Sequence, residues 1–416
     1  MISLETQYFK LNRFLLLIIG IWPLQQSNLT RFQFIFLSSV LMTSIMFQFT
    51  TFLTSRCTPE FIAEILSSIS FFSTFAIKYN LFYLNIEAMK DLLMQLQNVC
   101  NELKDKNELA IMNEYSCNAK RYTAVLTILG VCTLFASIVI FWSNICSIIL
   151  SINVTQSRHL PITTEYFIDQ EKYFYLILIH ISLANCIGTT TVVAIGAMLI
   201  AYFQHTCGMF KISSYRIQCA MSINILEKIK LNKINLIVKE IISAVNIHRQ
   251  AIKLSELMAS KIEKMLFCLI IIGVICLSLN LFRIFQIVTY GNDIKEILFP
   301  FLFVAISILY MFVANYVGQD LTDHNSDLFA TVYDIQWHEA PLHVQKLILF
   351  LLQKGTKNFT ISVGGLFVGS LECFATVIMT NMRYQINIHT RQHINITAGE
   401  SFGFLLHCHI FNAIIR

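Results

Sequence analysis

Residues 265–290 read MLFCLIIIGVICLSLNLFRIFQIVTY, a run with Arg283 as its one charge. A membrane-crossing helix needs about 20 mostly apolar residues, and this run exceeds that without any polar–apolar alternation. Barrel strands are about 10 residues long and alternate, so the run reads as a helix. Six more runs of the same character surround it. Together the expected spans are about 32–54, 61–85, 122–150, 173–203, 265–290, 297–318 and 359–382. Composition agrees: 56% of residues are hydrophobic and 13% charged, with a mean hydropathy of +0.63. Soluble domains sit near about 45–50% apolar and 25% charged. The expected fold class is therefore all-α, a polytopic seven-transmembrane helical bundle.

Lysine and arginine set the orientation. With the N-terminus inside, residues 1–31 and the connections near 85–121, 204–264 and 319–358 carry 3, 5, 10 and 3 basic residues. The opposite connections carry four, Arg56, Arg158, Lys172 and Lys295. Basic residues near span ends stay in the cytoplasm, so the N-terminus is expected to be cytoplasmic and the C-terminus outside. A G-protein-coupled receptor has the reverse arrangement. The sequon Asn153-Val-Thr then falls in an outer loop and is a glycosylation candidate, whereas those at Asn28 and Asn358 fall inside. The net charge of +5 follows from this loop asymmetry and does not argue for nucleic acid. Lys10, Arg13 and the apolar run 14–24 resemble a signal peptide but lack a small-x-small cleavage site. They are expected to form an uncleaved helix at the inner interface.

The connections on the inner side are long and helical in pattern. Residues 86–121 read as one charged helix with Met89, Leu92, Leu93 and Leu96 on one face, and 222–264 keeps helical periodicity. Cytoplasmic helical extensions are thus expected to form an anchor at about 319–358. Within it, Ser326, Ala330, Tyr333 and Trp337 recur at i, i+4, i+7 and i+11 and share one helix face. The outer loops are short, so an external ligand must enter the bundle itself. The twelve cysteines are scattered without a C-x-x-C pair, and the histidines lack metal-ligand spacing. Neither P-loop nor G-x-S-x-G is present, so no catalytic residue, metal or cofactor is indicated. Internal repeats and broken helices, the marks of a secondary transporter, are also missing from the sequence.

Three motifs carry a family likeness. Gly20-Ile21-Trp22-Pro23 precedes the first span. Gly318-Gln319-x-Leu321, followed by Ser326, Leu328, Tyr333 and Trp337, precedes the last, which then carries Ser370-Leu371-Glu372-x-Phe374-x-x-Val377. With the topology and length, these resemble an insect odorant receptor over residues 1–384. The chain looks like an odour-tuned subunit, because the family's co-receptor has a longer second cytoplasmic loop. A gustatory-receptor-like channel is the nearest alternative, but that family's Thr-Tyr-x5-Gln-Phe motif does not occur at Thr380-Asn381. The resemblance implies a ligand-gated, non-selective cation channel in the plasma membrane, a heterotetramer with a co-receptor that detects small volatile odorants. Residues 385–416 depart from the family, which ends soon after this point. They are expected to be an atypical extracellular tail or a mis-spliced end, with Asn387 where an apolar gate residue belongs.

Site candidates follow. Ligand-binding residues are expected from the second, third, fourth and sixth spans, a set the resemblance implies: Phe71, Phe72, Phe75; Ser137, Phe141, Trp142; Tyr173, Ile177, His180; and Phe303, Ser307, Tyr310. Aromatic surfaces with a few hydroxyls suit a small, mostly apolar ligand. Thr376, Thr380, Tyr384 and Asn387 are the pore-lining candidates, and Ser326, Ala330, Tyr333 and Trp337 the subunit anchor. Lys78 and Arg283 are ionisable groups inside spans, where charge is costly and signals function by default. Arg283 is near enough to a span end to snorkel.

Overall fold

The computed structural model describes residues 9–56, 58–150, 162–226, 231–290, 294–355, 360–365 and 367–394. It is almost wholly helical. The order is α1 (Lys10–Ile18), α2 (Asn28–Phe49), α3 (Thr51–Thr54), α4 (Pro59–Leu84), α5 (Ile86–Glu102), α6 (Lys106–Leu150), α7 (Phe174–Leu226), α8 (Leu231–Tyr290), α9 (Ile294–Asp334), α10 (Leu342–Gly355) and α11 (Leu371–Ile394). A two-stranded antiparallel hairpin, β1 (Ser362–Val363) and β2 (Phe367–Val368), precedes α11.

Local chemistry places the helix starts. Ser27 and Thr30 form a reciprocal capping box at α2. Thr58 caps α4 and Pro59 occupies its first turn, where the missing N–H costs nothing. The four longest helices, α6 to α9, have 45, 53, 60 and 41 residues. At about 1.5 Å per residue, α8 is roughly 90 Å long, about three times the hydrocarbon thickness. It must project far beyond a bilayer, and no proline interrupts it. Six helices among the described residues are long and apolar enough to cross a membrane. The chain is a multi-pass helical membrane protein.

Helices α4, α7 and α8 are the most buried and form the centre. Helices α2, α6 and α9 lie outside them and expose apolar stripes such as Phe32, Ile35 and Phe36, or Val125, Ile128 and Phe135. Such stripes fit lipid tails rather than water. The N-terminal segment plugs into the inner half of this bundle. Phe9 stacks on His205 at 5.2 Å, Asn12 donates to the Ala197 carbonyl, and Tyr79 donates to the Ile19 carbonyl at 2.8 Å. Gly20, at φ +71, turns the chain so that Ile21 and Trp22 are buried. A second apolar cluster joins the extensions, with Ile217 and Met221 of α7, Ile237 and Ile241 of α8, Leu328 and Val332 of α9, and Val344 and Ile348 of α10. This cluster includes residues of the segment 319–358.

Two expectations need correction. Residues 86–121 are two helices: α5 ends at Glu102, and α6 starts at Lys106 and runs straight into the span. Asp105 makes the break, its carboxylate and carbonyl accepting from the Asn107 and Leu109 N–H groups. Met89, Leu92, Leu93 and Leu96 are nonetheless all buried on one face of α5. The last span is also displaced. Residues 362–363 pair with 367–368 as the hairpin, and the helix occupies 371–394, so it includes ten residues assigned to the tail. Gly364 and Gly365 form the hairpin turn at φ +64 and +66. Residues 395–416, the sequons at Asn153 and Asn358, and the side chains of Phe141 and Trp142 lie outside the described residues.

Candidate functional site

A narrow cavity sits in the half of the bundle expected to be outer. It is lined by Phe71 and Phe72 of α4, Thr133 and Ser137 of α6, Asn185 and Thr189 of α7, and Phe299, Leu302, Phe303 and Ile306 of α9. Ile162, from the loop before α7, completes it. Aromatic rings fill most of the space: Phe71 stacks on Phe303 at 4.0 Å and meets Phe75 edge-on at 4.8 Å. Asn185 donates to the Ser137 hydroxyl at 2.8 Å, which leaves one amide and three hydroxyl-bearing side chains in apolar walls. A site of this make-up orients a small ligand by one or two hydrogen bonds and holds it by apolar contact. The loop above is stitched down. Thr163 donates to Glu64 at 2.9 Å, Glu165 N–H donates to the Phe47 carbonyl, and Arg283 reaches Glu64 at 3.7 Å and Ser67 at 3.4 Å. Arg283 is thus tied to the top of α4 rather than directed to solvent.

Of the residues expected at the ligand, Phe71, Phe72, Ser137 and Phe303 line the cavity. Phe75 packs directly behind the first two rings. Tyr310 lies about one turn beyond Ile306 on the same helix. Ser307 faces α8, its hydroxyl 3.9 Å from Cys276 sulfur. Ile177 is core, and Tyr173 is exposed. His180 turns toward α2, bonded to Thr43 at 3.0 Å and to Tyr166 at 2.7 Å. Thr133, Asn185, Thr189, Phe299 and Ile306 are cavity residues that the sequence reading missed. Asn185 and Thr189 stand four apart in an apolar span, and Phe299 stands four before Phe303, spacings that point to them.

Phe75 owes its place to Gly188. A Cβ at Gly188 would come within 1.9 Å of the Phe75 ring. Gly188→Ala is therefore expected to drive that ring toward the cavity and to cost about 1–3 kcal/mol by overpacking. A fall in thermal midpoint together with weakened ligand binding checks it.

The last helix has two faces. Asn381 is buried and accepts from Ser278, and Gln385 donates to the Ser278 carbonyl at 3.0 Å, so this face docks on α8. Thr376, Thr380 and Asn387 lie on the opposite, exposed face, with Tyr384 half-buried beside them. The start of α11 is held by α9. Ser370 N–H donates to Asn315 at 3.2 Å, Phe312 meets Phe374 at 5.5 Å, and Gly318 lies against the Gly369 backbone. One helix, α9, therefore touches both the cavity, through Phe303 and Ile306, and the base of α11.

Of the four residues expected on one helix face, Ser326, Ala330 and Tyr333 are exposed on α9, Tyr333 at 70%. But α9 ends at Asp334, so Trp337 opens a separate 3-10 turn and packs against the second apolar cluster instead. Just inside the bundle, Cys207 of α7 comes within 4.8 Å of Asp320 and His324 of α9. The two polar residues are bonded to protein: His324 to the Asp320 carbonyl at 2.7 Å and to Tyr115 at 2.8 Å, and Asp320 to Gln204 at 2.7 Å. No sequence spacing links a residue on α7 with two on α9.

Residues 58–382 match the model of the family described as 7tm Odorant receptor. The fold is similar to the solved structure of the insect olfactory receptor OR5 from Machilis hrabei, with a TM-score of 0.73 at 13% identity over 92% of this chain and 97% of that one. The same receptor in complex with eugenol gives 0.72 at 13% identity, over 94% and 99%. No curated protein sequence matches the chain. The match over most of its length places the chain in the seven-transmembrane odorant receptor family.

Proposed function

We propose that the chain is an odour-tuned subunit of a ligand-gated, non-selective cation channel in the plasma membrane, assembled with a co-receptor as a heterotetramer. The observation that carries this reading is the shared contact of α9 with the cavity and with the foot of α11. A small volatile molecule that parts the Phe71–Phe303 stack changes the packing of α9. Because α9 holds α11 through Asn315 and Gly318, the change reaches the exposed threonine face. A ligand shifts the gate only by binding the open arrangement more tightly than the closed one. The eugenol complex of the Machilis receptor supports a small, mostly apolar ligand for a fold of this kind.

Helix α11 is less apolar than the other spans, which fits a wetted surface. A conduit needs a polar lining, and Thr376, Thr380 and Asn387 supply one on the face turned away from the subunit's own core. The exposed Ser326–Ala330–Tyr333 face of α9 would meet neighbouring subunits. The test is whole-cell recording from cells expressing the chain with a co-receptor and exposed to a broad volatile panel. Inward, poorly selective cation currents are expected. Silence despite surface delivery of the complex contradicts the reading.

A further inference from the structure

One ionisable group has no part in that coupling. Lys78 of α4 is 1% exposed and lies at the centre of the bundle. Its ammonium donates to the Val192 carbonyl and to the Tyr310 hydroxyl, each at 3.3 Å, and stands 4.5 Å from the centre of the Tyr310 ring. Charge-assisted bonds are usually about 2.7–2.9 Å, so both are long. An ammonium has three donors, and among the described residues no carboxylate pairs with it. On another side it faces the bare backbone of Gly196, where a Cβ would sit 3.7 Å from Nζ. A buried cation without a counter-charge is costly, so stability does not explain it.

Its position relative to the cavity does. Val192 follows the cavity residue Thr189 by three positions on α7. Tyr310 follows Ile306 by four on α9, and Lys78 follows Phe71 by seven on α4. Three of the four helices that line the cavity therefore surround the ammonium, about one turn further in along α7 and α9 and about two turns further in along α4. Between them stands Phe75, whose ring lies on the backbone of Gly188. A ligand that spans the cavity and Lys78 must displace that one ring. We infer that Lys78 anchors the anionic end of a ligand, so that the receptor's ligand class includes small monocarboxylic acids. The carboxylate accepts from Lys78 and Tyr310, and the apolar remainder lies among Phe71, Phe72 and Phe303. This assignment rests on the reading of the cavity as the odour site.

Full-length receptor in lipid nanodiscs, titrated at pH 7.4 with straight-chain C4–C8 acids and their matched primary alcohols, tests it by direct binding. One or more of the acids is expected to bind, and Lys78→Met to weaken that acid by about 10- to 100-fold, the worth of one charged hydrogen bond. The matched alcohol should shift by less than about threefold, and Lys78→Arg should restore part of the acid affinity. Lys78→Met should also raise the thermal midpoint of the ligand-free protein, because it removes a buried amine held by two long hydrogen bonds. No acid binding, equal losses for acid and alcohol, or a lowered midpoint would each overturn the assignment. Currents evoked by neutral volatiles but by none of the acids would overturn it while leaving the channel reading intact. Lys78-dependent acid binding by a protein that never conducts would do the opposite.

Discussion

Glu108→Ala is expected to destabilise the chain by about 1–3 kcal/mol, the cost of leaving the half-buried Arg216 guanidinium without its carboxylate. Glu108 sits in the first turn of α6 and is 7% exposed. Its two carboxylate oxygens accept from Arg216 of α7 at 2.6 and 2.9 Å, a bidentate pair. Arg216 also donates to the Ser243 hydroxyl of α8 at 2.8 Å. Three long helices are therefore pinned at one point in their extensions, beside the second apolar cluster. Removing the carboxylate leaves the guanidinium with Ser243 alone. Loss of surface delivery and of the folded fraction in a detergent thermal melt is expected. The double variant Glu108→Ala, Arg216→Met should recover much of the stability, because it leaves no unpaired charge behind. A double variant as unstable as the single one would show that the pair is not the cause.

Gly318→Ala is expected to abolish gating while the protein still reaches the membrane. The new Cβ would lie 2.7 Å from the Gly369 carbonyl oxygen and 3.0 Å from its carbonyl carbon and Cα. Backbone cannot swing aside as a side-chain tip does, so α9 and the segment leading into α11 must separate. Ser370 N–H then loses its hold on Asn315. Overpacking of this kind costs about 1–3 kcal/mol, small beside the stability of a long bundle but applied at the joint that couples ligand to gate in the proposed mechanism. Ligand binding in nanodiscs should be retained, with the evoked current falling at least about tenfold. A current of normal size would show that α9 and α11 are not coupled there.

Much of this was legible in the chain because it depends on local composition. The run 265–290 is apolar enough to fix a helix in any context, and α8 contains it whole. Phe71, Phe72 and Phe303 could be placed on the cavity because the basic residues of the loops give their helices an expected direction across the bilayer. Other features depend on choices composition does not make. The stretch ISVGGLFVG, residues 361–369, is as apolar as a span, yet two glycines at positive φ fold it into a hairpin. The paired glycines were the available sign of a turn. The break before α6 hangs on one aspartate cap inside a helical pattern. Asn185 was overlooked because its polarity is answered by Ser137 on another helix, and such partners are set only by packing. The meeting of Cys207 with Asp320 and His324 is non-local in the same way.

The central claim is that ligand in the bundle opens a conduit lined by the exposed face of α11. It is tested most directly at Thr380→Cys in complexes formed with a co-receptor. A membrane-impermeant cationic methanethiosulfonate is applied from outside during odorant application while the evoked current is recorded. Progressive, irreversible block is expected, faster with odorant present than without and absent in the unmodified receptor. An unchanged current, with a mass shift proving that the introduced thiol had reacted, would contradict the account.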